Sequence, residues 1–333
     1  MAEPSAQELT EQRQAALDAI LGSAAAKKLV VAGPGTGKTY TFRLVLRQAG
    51  GGVALTFIRA LVRDLRVALG EDADIVSTFH GFAKHLLHAH PFGVTTRFCY
   101  VPALPLILAH DLTILGVDAI TRAQIDSAFQ RLDDTDSLIT QGIRLGEYYD
   151  AVGHNDVVYR VLSHFDSSPG EIPTYPIVVV DEYQDFNPLE TALILKLAER
   201  SPVLIAGDDD QALYHRKHAS PLYIRELADS SDYTVFPLPF CSRCTAVVVQ
   251  AVTAVIERAV REGNLVGRIS KPFSCYLPDK RADSDAHPKI IHARCSVESV
   301  GTPYIGRYVT KQVGLIEAAD IDTSREGNYP TCW

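Results

Sequence analysis

The feature that most constrains the fold of this 333-residue chain is a glycine-rich run that joins a β-like segment to a helical one. Residues 32–39 read AGPGTGKT; the apolar run Lys28–Ala32 precedes them and the helical pattern Thr39–Gln48 follows. Glycines let a backbone wrap closely around an anion, and the N–H groups at a helix N-terminus then face that anion. The spacing is typical of a phosphate-binding loop, with Ala32 where glycine is usual.

The side chains of this run predict a polyphosphate ligand. Lys38 is placed to reach the β- and γ-phosphates, and the Thr39 hydroxyl to ligate Mg²⁺. A glycine-rich turn that merely starts a helix is the plainer alternative, which the strand, the helix and Gly-Lys-Thr together disfavour. The residues expected at the bound nucleotide are Gly33, Pro34, Gly35, Thr36, Gly37, Lys38, Thr39 and Tyr40.

Short β-branched runs alternate with helical patterns along much of the chain. Runs at Val53–Phe57, Ile177–Asp181 and Pro202–Ala206 are nearly continuous in apolar residues, as expected of strands covered on both faces. This alternation implies right-handed crossovers and a mainly parallel sheet, hence an α/β fold. Helical patterns over about Pro91–Tyr175 interrupt it, and an insertion between two strands explains the interruption.

Two acidic motifs follow predicted strands. In VVVDEYQD, Asp181 is predicted to hold Mg²⁺ and Glu182 to polarise the attacking water, because ligands bind at the carboxyl edge of such sheets. An N-cap or a solvated turn is the alternative. In the second motif, Asp208–Asp210 are three consecutive carboxylates, which repel unless a cation or basic groups lie close. Gln211, with a donor and an acceptor, is expected to contact a γ-phosphate or its water.

Composition limits the environment and the partners. Lys and Arg number 32 against 40 Asp and Glu, a formal charge of −8, so no global basic excess indicates nucleic-acid binding. A local basic groove is not excluded by this charge. No apolar run approaches the ~20 residues of a membrane span, and the polar N-terminus carries no secretory signal. With six scattered cysteines, we expect a cytoplasmic protein without a membrane partner.

The order of these motifs resembles that of the N-terminal part of a UvrD/Rep-like superfamily 1 DNA helicase. The segments that carry the resemblance are LTEQRQ, AGPGTGKT, LTFIRALVRDL, STFHGFA, DEYQD, GDDDQALY and PFCSRC. The resemblance implies that Gln12 reads the adenine, that Arg243 contacts the γ-phosphate, and that the cofactors are ATP and Mg²⁺. It also implies an ATP-dependent helicase that moves 3′ to 5′ on DNA, with single-stranded DNA as the partner.

The resemblance further implies a domain organisation. Residues 1–90 and 176–240 are expected to form a RecA-like P-loop NTPase domain, residues 91–175 a helical insertion, and residues 241–333 the start of a truncated second RecA-like domain. Motifs V and VI of the family, which belong to that second domain, have no counterpart here. A further domain or a protein partner would then complete the ATP site, and the isolated chain is expected to hydrolyse ATP slowly and not to unwind DNA.

Predicted DNA contacts come partly from the residues and partly from the resemblance. Arg59, Arg63 and Arg66 fall at i, i+4 and i+7 of the helical pattern Arg59–Leu69, which is a phosphate-tracking face or simply a solvated one. Thr78, Phe79 and His80 would add a hydroxyl, a ring and an imidazole to the same groove. The sequence departs from the family pattern at two positions, because Ser242 and Arg216 stand where the family has aromatic residues that stack on bases.

Several alternatives stay open at this point. Zinc could be held by His85 and His88, or by Cys241 and Cys244, although neither pair has an evident second pair of ligands. At the level of function, a non-catalytic module that binds ATP and DNA is the main alternative to a helicase. A helicase subunit of a nuclease–helicase complex in DNA repair or phage defence is another.

Overall fold

A six-stranded sheet organises the part of the chain that the computed structural model describes, residues 6–89, 98–116, 120–133, 135–212, 217–286 and 290. In chain order, the strands are β1 (Lys27–Ala32), β2 (Val53–Thr56), β3 (Ile75–Thr78), β4 (Cys99–Tyr100), β5 (Ala151–Val152), β6 (Val178–Val180), β7 (Val203–Gly207), β8 (Thr234–Leu238), β9 (Phe240–Cys241) and β10 (Ser274–Cys275). The helices are α1 (Ala6–Gly22), α2 (Lys38–Ala49), α3 (Arg59–Leu69), α4 (Phe79–Ala89), α5 (Leu104–Ile114), α6 (Arg122–Arg131), α7 (Ser137–Tyr148), α8 (His154–Ser167), α9 (Pro188–Leu197), α10 (Pro221–Asp229), α11 (Ala246–Arg261) and α12 (Pro278–Ala286).

The main sheet is parallel throughout, with the strand order β3-β2-β6-β7-β1-β8. Strand β7 lies between β1 and β6, so the ends of these three strands are neighbours at one edge. β4 pairs with β5 and β9 with β10 in two small sheets, both parallel. The predicted α/β fold with a mainly parallel sheet is confirmed.

Both faces of the sheet are buried, which explains why its central strands read as continuous apolar runs. Leu29 and Val31 of β1 belong to one hydrophobic core, and Val30 and Ala32 to the core on the other face. The first core continues into the helices between β3 and β6, where Val157 of α8 belongs to the same cluster.

Two strands of the sheet, β3 and β8, were not predicted. β3 has only four residues, and its Ser77 and Thr78 are polar. β8 is an edge strand that contains Pro237 and is half-exposed along most of its length. Edge strands tolerate proline because one side of their backbone has no partner. Neither segment carries the apolar run by which the central strands are recognised.

Helices α5 to α8 occupy most of the region predicted to be a helical insertion. The division into domains at 91–175 and 241–333 stays a prediction, and residues 291–333 lie outside the described part. The described elements belong to one unit that ends at Ala286. Among the described residues, no helix is both long enough and apolar enough to cross a membrane.

Candidate functional site

The glycine-rich loop lies between β1 and α2, and its backbone has the left-handed conformations that glycine permits. Gly35 and Gly37 have φ angles of +70° and +93°. A Cβ atom at Gly35 would also collide with the Cβ of Arg243. The loop is closed by the Thr36 hydroxyl, which donates to the Gly33 carbonyl at 2.8 Å. Glycine is therefore favoured at these two positions of the loop, which leads into the N-terminus of α2 as an anion-binding loop requires.

Lys38, the first residue of α2, forms an ion pair with Glu182. Its Nζ lies 3.2 Å from each carboxylate oxygen of Glu182, and both side chains are largely buried. Glu182 follows β6 with φ 56° and ψ 44°, a left-handed conformation that is uncommon for a residue with a side chain. The structure therefore brings the predicted phosphate-binding lysine and the predicted base together across 144 residues of sequence.

Asp181 lies at the same edge of the sheet, between the end of β6 and Glu182. Its backbone N–H donates to the Leu55 carbonyl at 2.9 Å, and its Oδ1 accepts a hydrogen bond from the Glu182 N–H at 3.0 Å. Burial raises the pKa of Asp181 to about 6; the charge of Lys38 opposes this shift and that of Glu182 adds to it. A buried carboxylate that lacks a cation of its own is a suitable ligand for one.

The residues at this edge fit a nucleotide with Mg²⁺. The cradle of the loop admits no side chain at Gly35, and Lys38 supplies a positive charge beside it. Thr39, half-buried in the first turn of α2, and Asp181 offer the oxygen ligands that Mg²⁺ prefers. Tyr40 is exposed on the outer side of the same turn.

A chain of hydrogen bonds links Glu182 to Gln211. Gln184 donates from Nε2 to Glu182 at 2.9 Å and accepts from the Asp208 N–H at 3.0 Å. Gln211 donates from Nε2 to Asp208 Oδ2 at 2.6 Å. The sequence analysis predicts no role for Gln184, although its place in the DEYQD motif is the signal that could have identified it. Two of the three predicted catalytic side chains, Glu182 and Gln211, are thus ends of one polar network.

The three consecutive carboxylates after β7 are neutralised by basic side chains. Asp209 pairs with Arg225 at 2.9 Å, Asp210 with Arg268 at 2.8 Å, and Lys271 contacts all three carboxylates. The expected basic groups are therefore present. Among the described residues, these three aspartates form the one group of at least three potential metal ligands whose ligand atoms lie within 4.8 Å of one another. The histidine and cysteine pairs considered for zinc form no such group there.

Residues after β9 contact the outer side of the phosphate loop. The Ser242 N–H and hydroxyl both donate to the Gly35 carbonyl, at 2.8 and 2.9 Å, and Cys241 Sγ donates to the Pro34 carbonyl at 3.3 Å. Arg243 is therefore held beside Gly35, with an exposed side chain. This position suits the predicted contact between Arg243 and a phosphate.

The N-terminal helix lies near the same loop. Gln12, the predicted adenine contact, is exposed on α1. Its neighbour Arg13 lies over the rings of Tyr40 and Tyr276, 5.5 and 5.3 Å from their centroids. Arg13 and Tyr276 were not predicted as site residues; no local motif marks Tyr276, which is 263 positions from Arg13 and reaches it only through the fold.

Apart from the phosphate loop, a cavity of about 470 Å³ opens at the carboxyl ends of β2 and β3. Three of the predicted DNA contacts line it, namely Arg59, Thr78 and His80. It also receives Tyr100 and His154 from the helical region, neither of which was predicted. Lys84 lies 4.4 Å from the centroid of the Tyr100 ring. The cavity thus combines cations with ring faces, the two features that single-stranded nucleic acid requires of a binding groove.

His80 lies in the wall of this cavity as an uncharged ring. It stacks on His154 with centroids 3.7 Å apart and an interplanar angle of 3°. Burial, together with the neighbouring charge of His154, lowers the pKa of His80 to about 3. Its Nδ1 lies 3.4 Å from Glu190, whose pKa burial raises to about 7. Burial therefore disfavours the charged forms of these two groups in the groove wall.

The remaining predicted DNA contacts lie elsewhere. Phe79 does not line the cavity, because its side chain is buried and packs edge-on against Phe186 with centroids 5.5 Å apart. The phenylalanine ring that lines the cavity is that of Phe57. Arg63 is exposed on α3, whereas Arg66 donates to the Val76 carbonyl at 3.0 Å. Arg216 lies outside the described residues.

A glycine-rich loop after β1, with carboxylates after β7, which pairs with β1, and after β6, the next strand in the sheet, is the arrangement of nucleotide-binding domains of the P-loop NTPase type. The model of the AAA domain family matches residues 12–217, more than half of the chain. The chain therefore belongs to the AAA domain family. Membership of this family implies nucleotide binding.

A relative with an assigned name gives a more specific similarity. The sequence is 28% identical, over an alignment of 233 residues, to the ATP-dependent DNA helicase PcrA of Leuconostoc citreum, and the match covers 56% of this chain. The match covers 31% of that protein, so the chain spans about a third of its relative's length. The chain is thus a member of the AAA domain family that is similar over part of its length to a DNA helicase.

Proposed function

We propose that the chain is the ATP- and single-stranded-DNA-binding part of an ATP-dependent 3′-to-5′ DNA helicase of the UvrD/Rep type. The observation that carries this proposal is the network from Lys38 through Glu182, Gln184 and Asp208 to Gln211. It joins a phosphate-binding lysine to two side chains suited to a γ-phosphate and its attacking water. The direction of movement rests on the sequence resemblance alone.

In this proposal, the chain's own residues bind and orient the triphosphate. The loop N–H groups and Lys38 offset phosphate charge, while Thr39 and Asp181 hold Mg²⁺, which supplies further charge neutralisation when bound. Glu182 accepts a proton from the attacking water, and the contact with Gln184 fixes its carboxylate. Arg243 approaches the γ-phosphate from beside Gly35. Gln12 contacts the adenine from α1.

The cavity at the ends of β2 and β3 supports single-stranded DNA as the partner. Arg59 and Lys84 provide cations for phosphates, and Phe57 and Tyr100 provide rings for bases. Thr78 and His80 complete the predicted surface. A groove of this kind suits a strand without sequence preference, because every base has a ring face.

The test is ATP hydrolysis by the purified chain, with and without an oligothymidine strand, alongside the Lys38→Ala variant. We expect slow hydrolysis that the strand accelerates and that the variant lacks. ATP binding without any hydrolysis would instead favour the non-catalytic module. Hydrolysis that appears only after a second protein is added would favour a subunit of a larger repair or phage-defence complex.

A further inference from the structure

A basic segment, residues 266–271, crosses the carboxyl end of β7 after α11. Arg268 binds Asp210 through two hydrogen bonds of 2.8 Å, from Nε and Nη2. The Ile269 N–H donates to Asp209 at 3.0 Å, and the Val266 carbonyl accepts from Arg225 at 2.9 Å. The segment is thus fixed to the acidic run by both side-chain and backbone contacts.

Lys271 is the centre of these contacts. Its Nζ lies 2.6 Å from Asp208 Oδ1, 2.5 Å from Asp209 Oδ1 and 3.0 Å from Asp210 Oδ2, with 7% of the side chain exposed. An ammonium group has three donors, and here each is matched by a different carboxylate. Burial by itself would lower the pKa of Lys271, but Asp208 and Asp209 raise it overall, so the group is charged.

Asp208 is the carboxylate through which Lys271 reaches the nucleotide site. Its Oδ1 faces Lys271, while its Oδ2 accepts from Gln211 at 2.6 Å. Its backbone N–H is bound by Gln184, which also holds Glu182. The Asp210 N–H also donates to Asp208 Oδ1, at 3.1 Å. Without the ammonium group, this hydrogen bond would have to hold Asp208 against the repulsion of two adjacent carboxylates, and Asp208 would shift from its present orientation. Gln211 would then lose its anchor.

We propose that Lys271 is a positioning residue of the nucleotide site, which orients Asp208 so that Gln211 and Glu182 are both held toward the phosphate loop. This inference rests on the proposed function, because it assigns those two residues to the γ-phosphate end of the nucleotide. Lys271 itself contacts neither of them. The sequence offered no signal for this role, since Lys271 stands alone in a proline- and charge-rich stretch.

The test compares the affinities for Mg·ADP and for Mg·AMP-PNP, a triphosphate analogue that is not hydrolysed. Lys271→Met should reduce the preference for the triphosphate at least fivefold, leave the affinity for Mg·ADP within about twofold, and lower kcat more than it changes KM. Arg225→Met is the matched control, since it removes a cation from Asp209 without touching Asp208. It should retain the triphosphate preference even if its melting temperature falls.

A folding defect is separated from loss of positioning by the double variant Lys271→Met/Asp209→Asn, which removes one negative charge together with the ammonium group. It should melt close to the parent and still lack the triphosphate preference. A retained preference in either Lys271 variant would overturn the inference. A parent chain that binds neither nucleotide would instead overturn the proposed function.

Discussion

The phosphate loop and the cavity at β2 and β3 lie at the same edge of one sheet but are built by different physical means. Around the loop, most buried charges form ion pairs: Lys38 meets Glu182, and the acidic run meets its basic partners, whereas the buried Asp181 is outside these pairs. In the cavity wall, burial shifts His80 and Glu190 toward their neutral forms. A polyphosphate needs fixed charge, whereas a strand of bases needs ring faces with cations at the rim.

The first way to test this contrast is to remove the charge of the loop. Lys38→Ala should weaken Mg·ATP binding by more than about 10³-fold, or ~4 kcal/mol, because a charged contact is lost and Glu182 then repels the phosphates. Equilibrium titration with a fluorescent ATP analogue measures this loss of affinity. Lys196→Ala, which removes an ion-paired lysine from α9, is the control and should bind normally. Equal affinity in parent and Lys38→Ala would show that the nucleotide site is elsewhere.

Glu182→Gln should leave Mg·ATP affinity within about threefold and reduce kcat by roughly 10³-fold, the range expected when a general base is removed. Asp181→Asn should differ, weakening the Mg²⁺-dependent part of binding. Single-turnover hydrolysis and titration with and without Mg²⁺ separate the two effects. Glu226→Gln, on the exposed side of α10, serves as the control. If both site variants lost binding equally, Glu182 would not be the base.

The cavity wall predicts a pH effect on stability. The folded pKa of Glu190, about 7, exceeds its ordinary value of 4.5. The contribution of this carboxyl group to the free energy of unfolding is therefore fully present below pH 4.5 and is lost as pH rises to about 7. The loss is about 3 kcal/mol, and Glu190→Gln should abolish it while keeping the helix-capping bond to Asn187.

Urea unfolding of the parent and of Glu190→Gln at pH 4.5, 6 and 8 checks this effect. His80 titrates with the opposite sign, since its lowered pKa removes stability as pH falls below 6.5. Because His80 contacts Glu190 at 3.4 Å, the effect of Glu190 is taken from the change in stability between pH 6 and pH 8, where His80 contributes little. Glu71→Gln, on an exposed turn, should retain the parent's pH profile. An unchanged profile in Glu190→Gln would mean that its carboxylate is ionised in the folded protein.

The smallest expected effect concerns the rim of the cavity. The double variant Arg59→Glu/Arg63→Glu should weaken single-stranded DNA binding about tenfold in moderate salt. The slope of log affinity against log salt concentration should become shallower by about 1.4, because each of the two lost phosphate contacts accounts for ~0.7. Arg258→Glu/Arg261→Glu makes the same charge change on the exposed side of α11. Fluorescence anisotropy at several salt concentrations measures both. Identical slopes for the two double variants would leave the α3 arginines as a solvated face.

Local spacing predicted the loop because its chemistry is contiguous in sequence: strand, glycines, Lys38 and helix follow one another. The central strands were predicted for the same reason, as unbroken apolar runs. Phe79 shows where the same reasoning was incomplete. With Phe82, Ala83 and Leu86 it falls at i, i+3, i+4 and i+7 of α4, and all four are buried. Helical periodicity could have assigned this ring to the core.

Other parts of the site could not be predicted from spacing. Lys271 lies about 60 positions from the acidic run, and His154 lies 74 positions from the ring on which it stacks. Such pairs meet only because the order of strands in the sheet brings distant segments together. A single lysine or histidine in a polar segment has no periodic pattern to reveal its partner.

Glu182 has a left-handed backbone conformation, which costs a residue with a Cβ atom about 1 kcal/mol or more. Glycine would adopt it freely, so Glu182→Gly should relieve that local strain. The same substitution would remove the ion pair with Lys38 and the proposed base. At this one position, conformational ease and chemical competence therefore make opposite demands on the choice of amino acid, and the chain accepts a less stable turn to place a carboxylate beside the phosphate loop.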